Sequence, residues 1–355
     1  MILRRSWCAG RTSLSEIRIR PADIESDREV LVDLLLKYLT PRSTERRFRW
    51  FYQQNPHGTA RAWIATAGAG DGIIGSGAII PQLVYVAGQP RKVSVMADFW
   101  VHPDFRALGP AIKLQRACVT GAAEAGAAFF DLPQGPMAAV YKRMGLLGTQ
   151  LLTRLVKPLR THTYVQKVIG NGALARGAAF VADRLLQLPD SWRRRGDCTI
   201  ARHDGELGAE FSELAQQVSA GYGICVARSA EYLTWRYRDH YYLQYEIYSA
   251  RRSGQLRAYI VVGESGQYAD VADLFGHDEP QTLLDLLGEV TDIYRARGCA
   301  GLQIGLHAGQ RWTGLLERAG FRRRTSRPLV IHEFAARGAD RPQPDWFLSY
   351  GDIDY

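Results

Sequence analysis

A pattern that recurs at a nearly fixed distance limits, more than any other feature, what this chain of 355 residues can fold into. Ala97-Asp98-Phe99 returns as Ala272-Asp273-Leu274, and Tyr141-Lys-Arg-Met-Gly145-Leu returns as Leu316-Glu-Arg-Ala-Gly320-Phe, both 175 positions later. Upstream, Phe48-Arg-Trp50-Phe-Tyr52-Gln-Gln-Asn55 is echoed by Leu233-Thr-Trp235-Arg-Tyr237-Arg-Asp239-His. Both of these upstream strings are followed by an apolar segment, a turn and a second apolar segment. Chance can supply any single match, but the same order at a nearly constant offset reads as one unit present twice.

Each unit is expected to run helix, strands, helix, strand, helix, strand. In the first, Asp27 to Leu39 carries Val30, Leu31, Leu34, Leu35 and Leu36 near helical spacing. Ile73 to Val86 reads as strands broken at Pro81, and Arg91 to Val101 as another strand. Gly109 to Ala125 predicts a helix, Ala127 to Leu132 a strand and Ala138 to Met144 a short helix; the second unit repeats this with a helix at Gln281 to Arg297 and a strand at Gly301 to Leu306. The expected class is α+β, two tandem units at 16–156 and 198–335, each a mixed, mostly antiparallel sheet flanked by helices. A basic helical linker over 157–197, ending in the breaker-rich Leu188-Pro-Asp-Ser-Trp-Arg-Arg-Arg-Gly, is expected to join them, and a tail over 336–355 to follow.

The chemically informative segment is Asp98-Phe-Trp-Val101-His-Pro103-Asp-Phe-Arg106-Ala-Leu-Gly109-Pro-Ala111. A β-run ends at Val101, a short loop follows, and a helix rich in Ala, Leu, Ile and Gln begins. Such a strand–loop–helix turns successive backbone N–H groups toward one point at a helix N-terminus, a concavity suited to phosphate oxygens and favoured by the helix dipole. Gly109 lets the backbone approach a ligand closely. No Gly-x-Gly-x-x-Gly follows the first strand, which disfavours a dinucleotide loop.

Val101 to Ala111 resembles the pyrophosphate motif of the GNAT superfamily of acyl-CoA N-acyltransferases, Gln/Arg-x-x-Gly-x-Gly/Ala after a strand ending in Val-x-Pro. Tyr141-Lys-Arg-Met-Gly-Leu resembles that superfamily's Tyr-x-x-x-Gly-Phe element. Pro110 departs from the motif, because it lacks an N–H and removes one phosphate donor, although proline suits a first helical turn. The resemblance covers 16–156 well and 198–335 more faintly. The whole chain is similar to tandem-GNAT proteins found near bacterial envelope-polysaccharide and lipid genes. Its ending, Trp346-Phe-Leu-Ser-Tyr-Gly-Asp352-Ile-Asp354, is similar to theirs, and the sequence offers no physical account of it.

The resemblance implies an enzyme that moves an acyl group from acyl-CoA directly to a primary amine, without a metal. It implies that Phe99, Trp100, Val101, Arg106, Ala107, Leu108, Gly109 and Ala111 hold the acyl-CoA, with the N–H of Phe99 or Trp100 aimed at the thioester oxygen. Tyr141 would protonate the departing thiolate, since a phenol holds its proton at neutral pH. Asp98 would act as base, directly or through water. Plainer readings stand beside these. Tyr141 suits a core, and Asp98 suits an ion pair with one of the many arginines, its face reversing with one step of register. His102 reads as a loop residue, and the aromatic strings as core rather than acceptor groove. The second unit has His277-Asp-Glu-Pro-Gln where the first has its phosphate loop, and Leu316 where the first has Tyr141. It is expected to bind no CoA, to cover the open side of the first unit and to shape the acceptor cleft, with Asp273 available to a cationic acceptor.

Charge and cysteines bound the partners. The net charge of +9 fits either a plain basic protein or one with anionic partners. No RNA-binding or helix-turn-helix signature is present, so nucleic acid is the weakest of these. Lys157, Arg160, Lys167, Arg176, Arg184 and Arg193 to Arg195 lie beside apolar residues over 157–195. That segment is either a linker with a solvated basic face or a weak contact to an anionic membrane. Cys8, Cys118, Cys198, Cys225 and Cys299 form no CxxC pair, which suits reduced thiols and neither a disulfide frame nor a zinc site. With no signal peptide or membrane span legible, the expected place is the cytoplasm, at most peripheral to the inner membrane face. The expected acceptor is a small-molecule or lipid amine, either an amino sugar of an envelope precursor or a sphingoid-type lipid. A Fem-type transferase using aminoacyl-tRNA and a non-catalytic acyl-CoA-binding scaffold are the rivals.

Overall fold

The computed structural model describes residues 17–39, 44–68, 72–105, 108–160, 196–307, 309–333 and 345–353. The first unit runs β1 (Ile17–Ala22), α1 (Arg28–Tyr38), α2 (Glu45–Phe48), β2 (Arg61–Ala67), β3 (Ile73–Val86), β4 (Gln89–Val101), α3 (Leu108–Ala125), β5 (Ala128–Asp131), α4 (Pro136–Arg143) and β6 (Leu151–Pro158). The second runs β7 (Thr199–Arg202), α5 (Ala209–Val218), β8 (Ile224–Val226), α6 (Ala230–Leu233), β9 (Tyr245–Arg252), β10 (Gln255–Ser265), β11 (Tyr268–Gly276), α7 (Pro280–Ala296), β12 (Gly301–His307), α8 (Gln310–Arg318) and β13 (Arg322–Pro328). After it come β14 (Val330–Glu333) and β15 (Trp346–Ser349). The strands form one mixed sheet crossing both units, with β3 of the first antiparallel to β8 of the second at Val84↔Val226.

The repeated strings fold alike. Thr44 and Ser229 cap α2 and α6, their hydroxyls accepting from the N–H groups of Arg47 and Tyr232. Both helices run on into a π-helical turn, Arg49–Gln53 and Thr234–Arg238. A π turn rotates the side chains off ordinary helical spacing, and here it carries Trp50, Tyr52, Trp235 and Tyr237 into the core, each at most 6% exposed. The aromatics from Phe48 to Tyr52 and from Tyr232 to Tyr237 are therefore core, whereas Tyr241 and Tyr245 are half-buried and Tyr242 is exposed.

Strands are exchanged between the units. β6 leaves the first unit and lies antiparallel between β12 and β13 of the second, while β14 returns to pair with β5 of the first. This corrects the linker boundary, because Lys157 and Pro158 close β6 and Lys157 is buried in the sheet. Residues 161–195, the remainder of the basic segment apart from Arg160, lie outside the described residues.

β3 is also continuous through Pro81, where a break was expected. Pro81 pairs with Ser94 on the β4 side, and its carbonyl points the other way, accepting from Asn55 Nδ2 at 2.7 Å. On that edge β2 ends its pairing at Ile79 and β8 begins at Val84, so the missing proline N–H falls where no strand asks for it.

Candidate active site

The β3–β4 register runs Ser76↔Trp100 and then Ala78↔Ala97, so Asp98 and Phe99 together face Gly77 alone. This is a β-bulge, one residue extra on β4. Asp98 takes φ 49°, the left-handed region, which costs a non-glycine residue roughly 1–3 kcal/mol. Gly77 makes the room: a Cβ there would lie 3.0 Å from Cys118 Sγ and 3.1 Å from the Phe99 ring.

On its other edge β4 runs parallel to β5 only at Ser94↔Phe129 and Val95↔Phe130. From Met96 to Val101 that edge has no strand partner among the described residues, so a gap opens between the strands at the bulge. Past the end of β4 comes a turn at Pro103–Phe105 and then α3. Gly109, Pro110 and Ala111 occupy the first turn of α3, where backbone N–H groups lack helical acceptors. Arg106 and Ala107 lie outside the described residues, and of Leu108 only its place at the helix start is described. Val101 and Ala111 are buried in the apolar cluster beneath α3, with Phe99 packed half-buried against it. Trp100 turns the other way and stacks on Tyr38 at 3.8 Å, its indole N–H without a partner among the described residues. His102 meets Tyr38 and Phe105 edge-on, in the loop.

Asp98 is held on the α2 side. Arg47 Nη1 and Nη2 donate to its two carboxylate oxygens at 2.8 and 2.9 Å, and Tyr52 Oη donates at 2.8 Å. The Arg47 and Asp98 side chains are 3% and 6% exposed. Tyr241 of the second unit lies 6.0 Å from the Arg47 guanidinium. Tyr141 is held on the side of α3 and α4. Its hydroxyl donates to Asp131 Oδ2 at 2.7 Å and accepts from Gln115 Nε2 at 2.8 Å. Burial, reinforced by the Asp131 charge, keeps its pKa well above the ordinary phenol value. Of the residues proposed from sequence as base and acid, Asp98 lies on β4 and Tyr141, fully buried beneath α3, is tied to the end of β5. Neither bonds the other. Arg47, Tyr52, Gln115 and Asp131, which hold them, carry no local sequence signal.

The second unit repeats the plan and closes it. β11 carries a bulge at the matching place, with Val261↔Asp273 followed by Val262↔Val271, and it parts from β12 after Val271↔Ile304. There β15 fills the gap, pairing with β12 at Leu306↔Ser349 while β6 holds β12's other edge. The turn after β15 packs so closely that a Cβ on Gly351 would collide with the Tyr237 hydroxyl and lie 2.8 Å from the Ala272 carbonyl oxygen. Arg228 pairs with Asp273 at 2.9 Å and with Asp352 at 2.8 Å, all three buried. Burial raises the Asp352 pKa, the Arg228 charge opposing it. At the start of α7, where a phosphate would sit, Glu279 is paired with Arg257 and Arg252. Burial alone would raise its pKa, but the Arg257 and Thr282 hydrogen bonds bring it to about 2. The tail that the sequence left unexplained is thus a strand laid into the second gap.

No protein-family model matches the chain, and no curated protein matches it in sequence. Solved structures do match. A probable N-acyltransferase from Enterococcus faecalis superposes with a TM-score of 0.62 at 13% identity, over 89% of this chain and 72% of that one. A GCN5-related N-acetyltransferase from Anabaena variabilis gives 0.62 at 13%, over 88% and 72%. Saccharomyces cerevisiae N-myristoyltransferase with bound myristoyl-CoA gives 0.56 at 10%, over 90% and 82%. At these identities the likeness establishes the fold, which is that of the GCN5-related N-acetyltransferases. Among the described residues, no three His, Cys, Asp or Glu side chains are grouped to hold a metal, and no helix is long and apolar enough to cross a membrane. Cys118, Cys198, Cys225 and Cys299 are free thiols.

Proposed function

We propose that this protein is an acyl-CoA-dependent N-acyltransferase working in the gap between β4 and β5. The observation that carries the reading is the Asp98–Phe99 bulge beside a β4 edge left unpaired beyond Val95. The pantetheine arm of CoA is a narrow chain with two amides, and an unpaired strand edge offers such a chain its backbone hydrogen bonds. The second unit supports the analogy, because a peptide strand lies in the matching gap. The first turn of α3, with Gly109, suits the pyrophosphate, and the sequence motif adds Arg106.

In the proposed reaction the amine nitrogen attacks the thioester carbonyl, whose oxygen takes up charge facing the N–H of Phe99 or Trp100. The C–N bond forms and the C–S bond breaks. The thiolate takes the Tyr141 proton, the phenolate recovers one from solvent, and the amine's proton leaves to water. The Tyr141 phenol holds its proton at neutral pH, as the donor to the thiolate must. The bound myristoyl-CoA of the yeast neighbour is consistent with an acyl-CoA donor.

For the acceptor we propose a primary amine of an envelope precursor, an amino sugar or a membrane-lipid amine. Weak membrane contact through the remaining basic residues of 160–195 belongs to the lipid version; sedimentation with anionic vesicles at low salt, and its loss at high salt, tests it. The reaction itself is tested by following thiol release from acyl-CoAs of graded chain length with a panel of amines. Amine-dependent release with a matching amide in the mass spectrum is expected. Release that no amine accelerates contradicts the reading.

A further inference from the structure

We infer that Asp98 serves this reaction as a positioning residue and not as its base, and that Arg47 and Tyr52 hold the bulge that carries the Phe99 N–H. The inference rests on the proposed acyl transfer at this gap. Three observations carry it. First, Asp98 sits at φ 49°, a conformation that persists in an L-residue only when its surroundings over-determine it. Second, those surroundings are present: both carboxylate oxygens are bonded by the Arg47 fork, and Tyr52 adds a third donor. A carboxylate so engaged is committed to a buried, charge-assisted fork on the α2 side, which makes it a firm anchor. Third, the second unit repeats the carboxylate–arginine pair in Asp273 and Arg228, yet Asp273 is not among the described residues with positive φ. Of the two bulge aspartates, the one at positive φ lies in the unit whose gap is open.

The anchor reaches into the second unit. Arg47 and Tyr52 flank Trp50, whose indole is locked to Trp235 by reciprocal hydrogen bonds. A continuous set of contacts therefore runs from the second unit through α2 and its π turn to the bulge. This gives the closed second unit a part in the chemistry of the first, as the brace that holds the bulge and its Phe99 N–H.

The test compares Asp98→Asn, Asp98→Gly, Arg47→Met and Tyr52→Phe in the full chain. It reads kcat and KM for acyl-CoA across pH, and amide hydrogen exchange of residues 96–101. A positioning role predicts that Asp98→Asn, which tolerates positive φ and keeps an oxygen for Tyr52, lowers kcat less than about 10-fold with the acidic limb of the pH profile unchanged. Arg47→Met should lower kcat about 100-fold with little change in KM, and should speed exchange at Phe99 and Trp100. Asp98→Gly, which keeps the conformation without the tether, should fall between them, and Tyr52→Phe should act as a milder Arg47→Met. A base predicts the reverse: Asp98→Asn loses about 100-fold or more together with the acidic limb, while Arg47→Met keeps its activity with that limb moved up in pH. The exchange measurement needs no turnover. Unchanged exchange at 99–100 in Arg47→Met overturns the brace even if no acyl transfer is found, whereas faster exchange without any transfer would remove the proposed reaction and leave the brace standing.

Discussion

Trp50 and Trp235 stand at matching places in the two units, and each indole N–H donates to the other's backbone carbonyl at 2.8 Å while the rings stack at 4.8 Å. The pair is self-complementary about a pseudo-twofold axis, in the way residues are at a symmetric dimer interface. Trp50→Ala should destabilise the protein by about 3–5 kcal/mol, the range for a buried aromatic, with the Trp235 carbonyl left unpaired besides. Trp235→Ala should cost a similar amount. Because each removal spends the same contact, the double variant should lose clearly less than the sum. Denaturant unfolding of the three variants measures this, and strict additivity would mean that the two indoles do not act as a pair.

Gly77 lies under the bulge. Its replacement by alanine puts a methyl 3.0 Å from Cys118 Sγ and 3.1 Å from the Phe99 ring, which forces the ring or α3 to give way. The expected outcome is a modest stability loss of about 1–3 kcal/mol with a larger proportional loss of kcat, since Phe99 and its N–H move together. Paired unfolding and turnover measurements check it; a stability loss with unchanged kcat would detach the bulge from the chemistry.

How much of this was legible in the sequence differs by the range of the forces involved. The strand, loop and helix from Arg91 to Ala125 follow from local periodicity and turn chemistry, and the structure places their ends within two residues of the reading. The exchange of β6 and β14 is invisible to such patterns, since alternation says that a strand is half-buried and not which edge it joins. The continuity of β3 through Pro81 depends on a break in pairing between β2 and β8. Asp98 was legible as a candidate for either a base or an ion pair; only packing supplies Arg47 from 51 positions upstream. The tail becomes intelligible once the second gap exists for β15 to enter.

Asp270 on β11 gives the protein a pH signature in the acid range. Burial, only partly offset by its Gln303 hydrogen bond and the Arg154 charge, raises its pKa to about 6. The folded state therefore binds this proton more tightly than the unfolded chain, whose Asp pKa is about 3.9. Between roughly pH 4 and 6 this group's contribution to stability falls as pH rises, and above that range the full loss, on the order of 2–3 kcal/mol, is in place. Asp270→Asn should flatten the stability profile across this range and raise the melting temperature at pH 7. A variant that melts lower at pH 7 than the parent would show that the carboxylate's contacts with Gln303 and Arg154 outweigh its burial.

Gly351 tests the seal on the second gap. Gly351→Val drives a branched side chain into the Tyr237 hydroxyl and the Ala272 carbonyl. It should expel the 346–353 segment and expose the buried Arg228, Asp273 and Asp352 cluster. The expected loss is about 3–5 kcal/mol, the scale for breaking a buried ion pair, seen as lowered melting and as faster hydrogen exchange in β11, β12 and β15. Native-like exchange in those strands would mean that the seal is looser than its geometry.

One working gap in the first unit and a filled one in the second is the central claim, and isothermal titration of the full chain with CoA tests it most directly. The account predicts one CoA per chain. It also predicts that Gly109→Asp, which puts a carboxylate at the first turn of α3 where phosphate belongs, abolishes the heat of binding while leaving the fold intact by circular dichroism. Two equivalents per chain, or an unchanged affinity in Gly109→Asp, would contradict it.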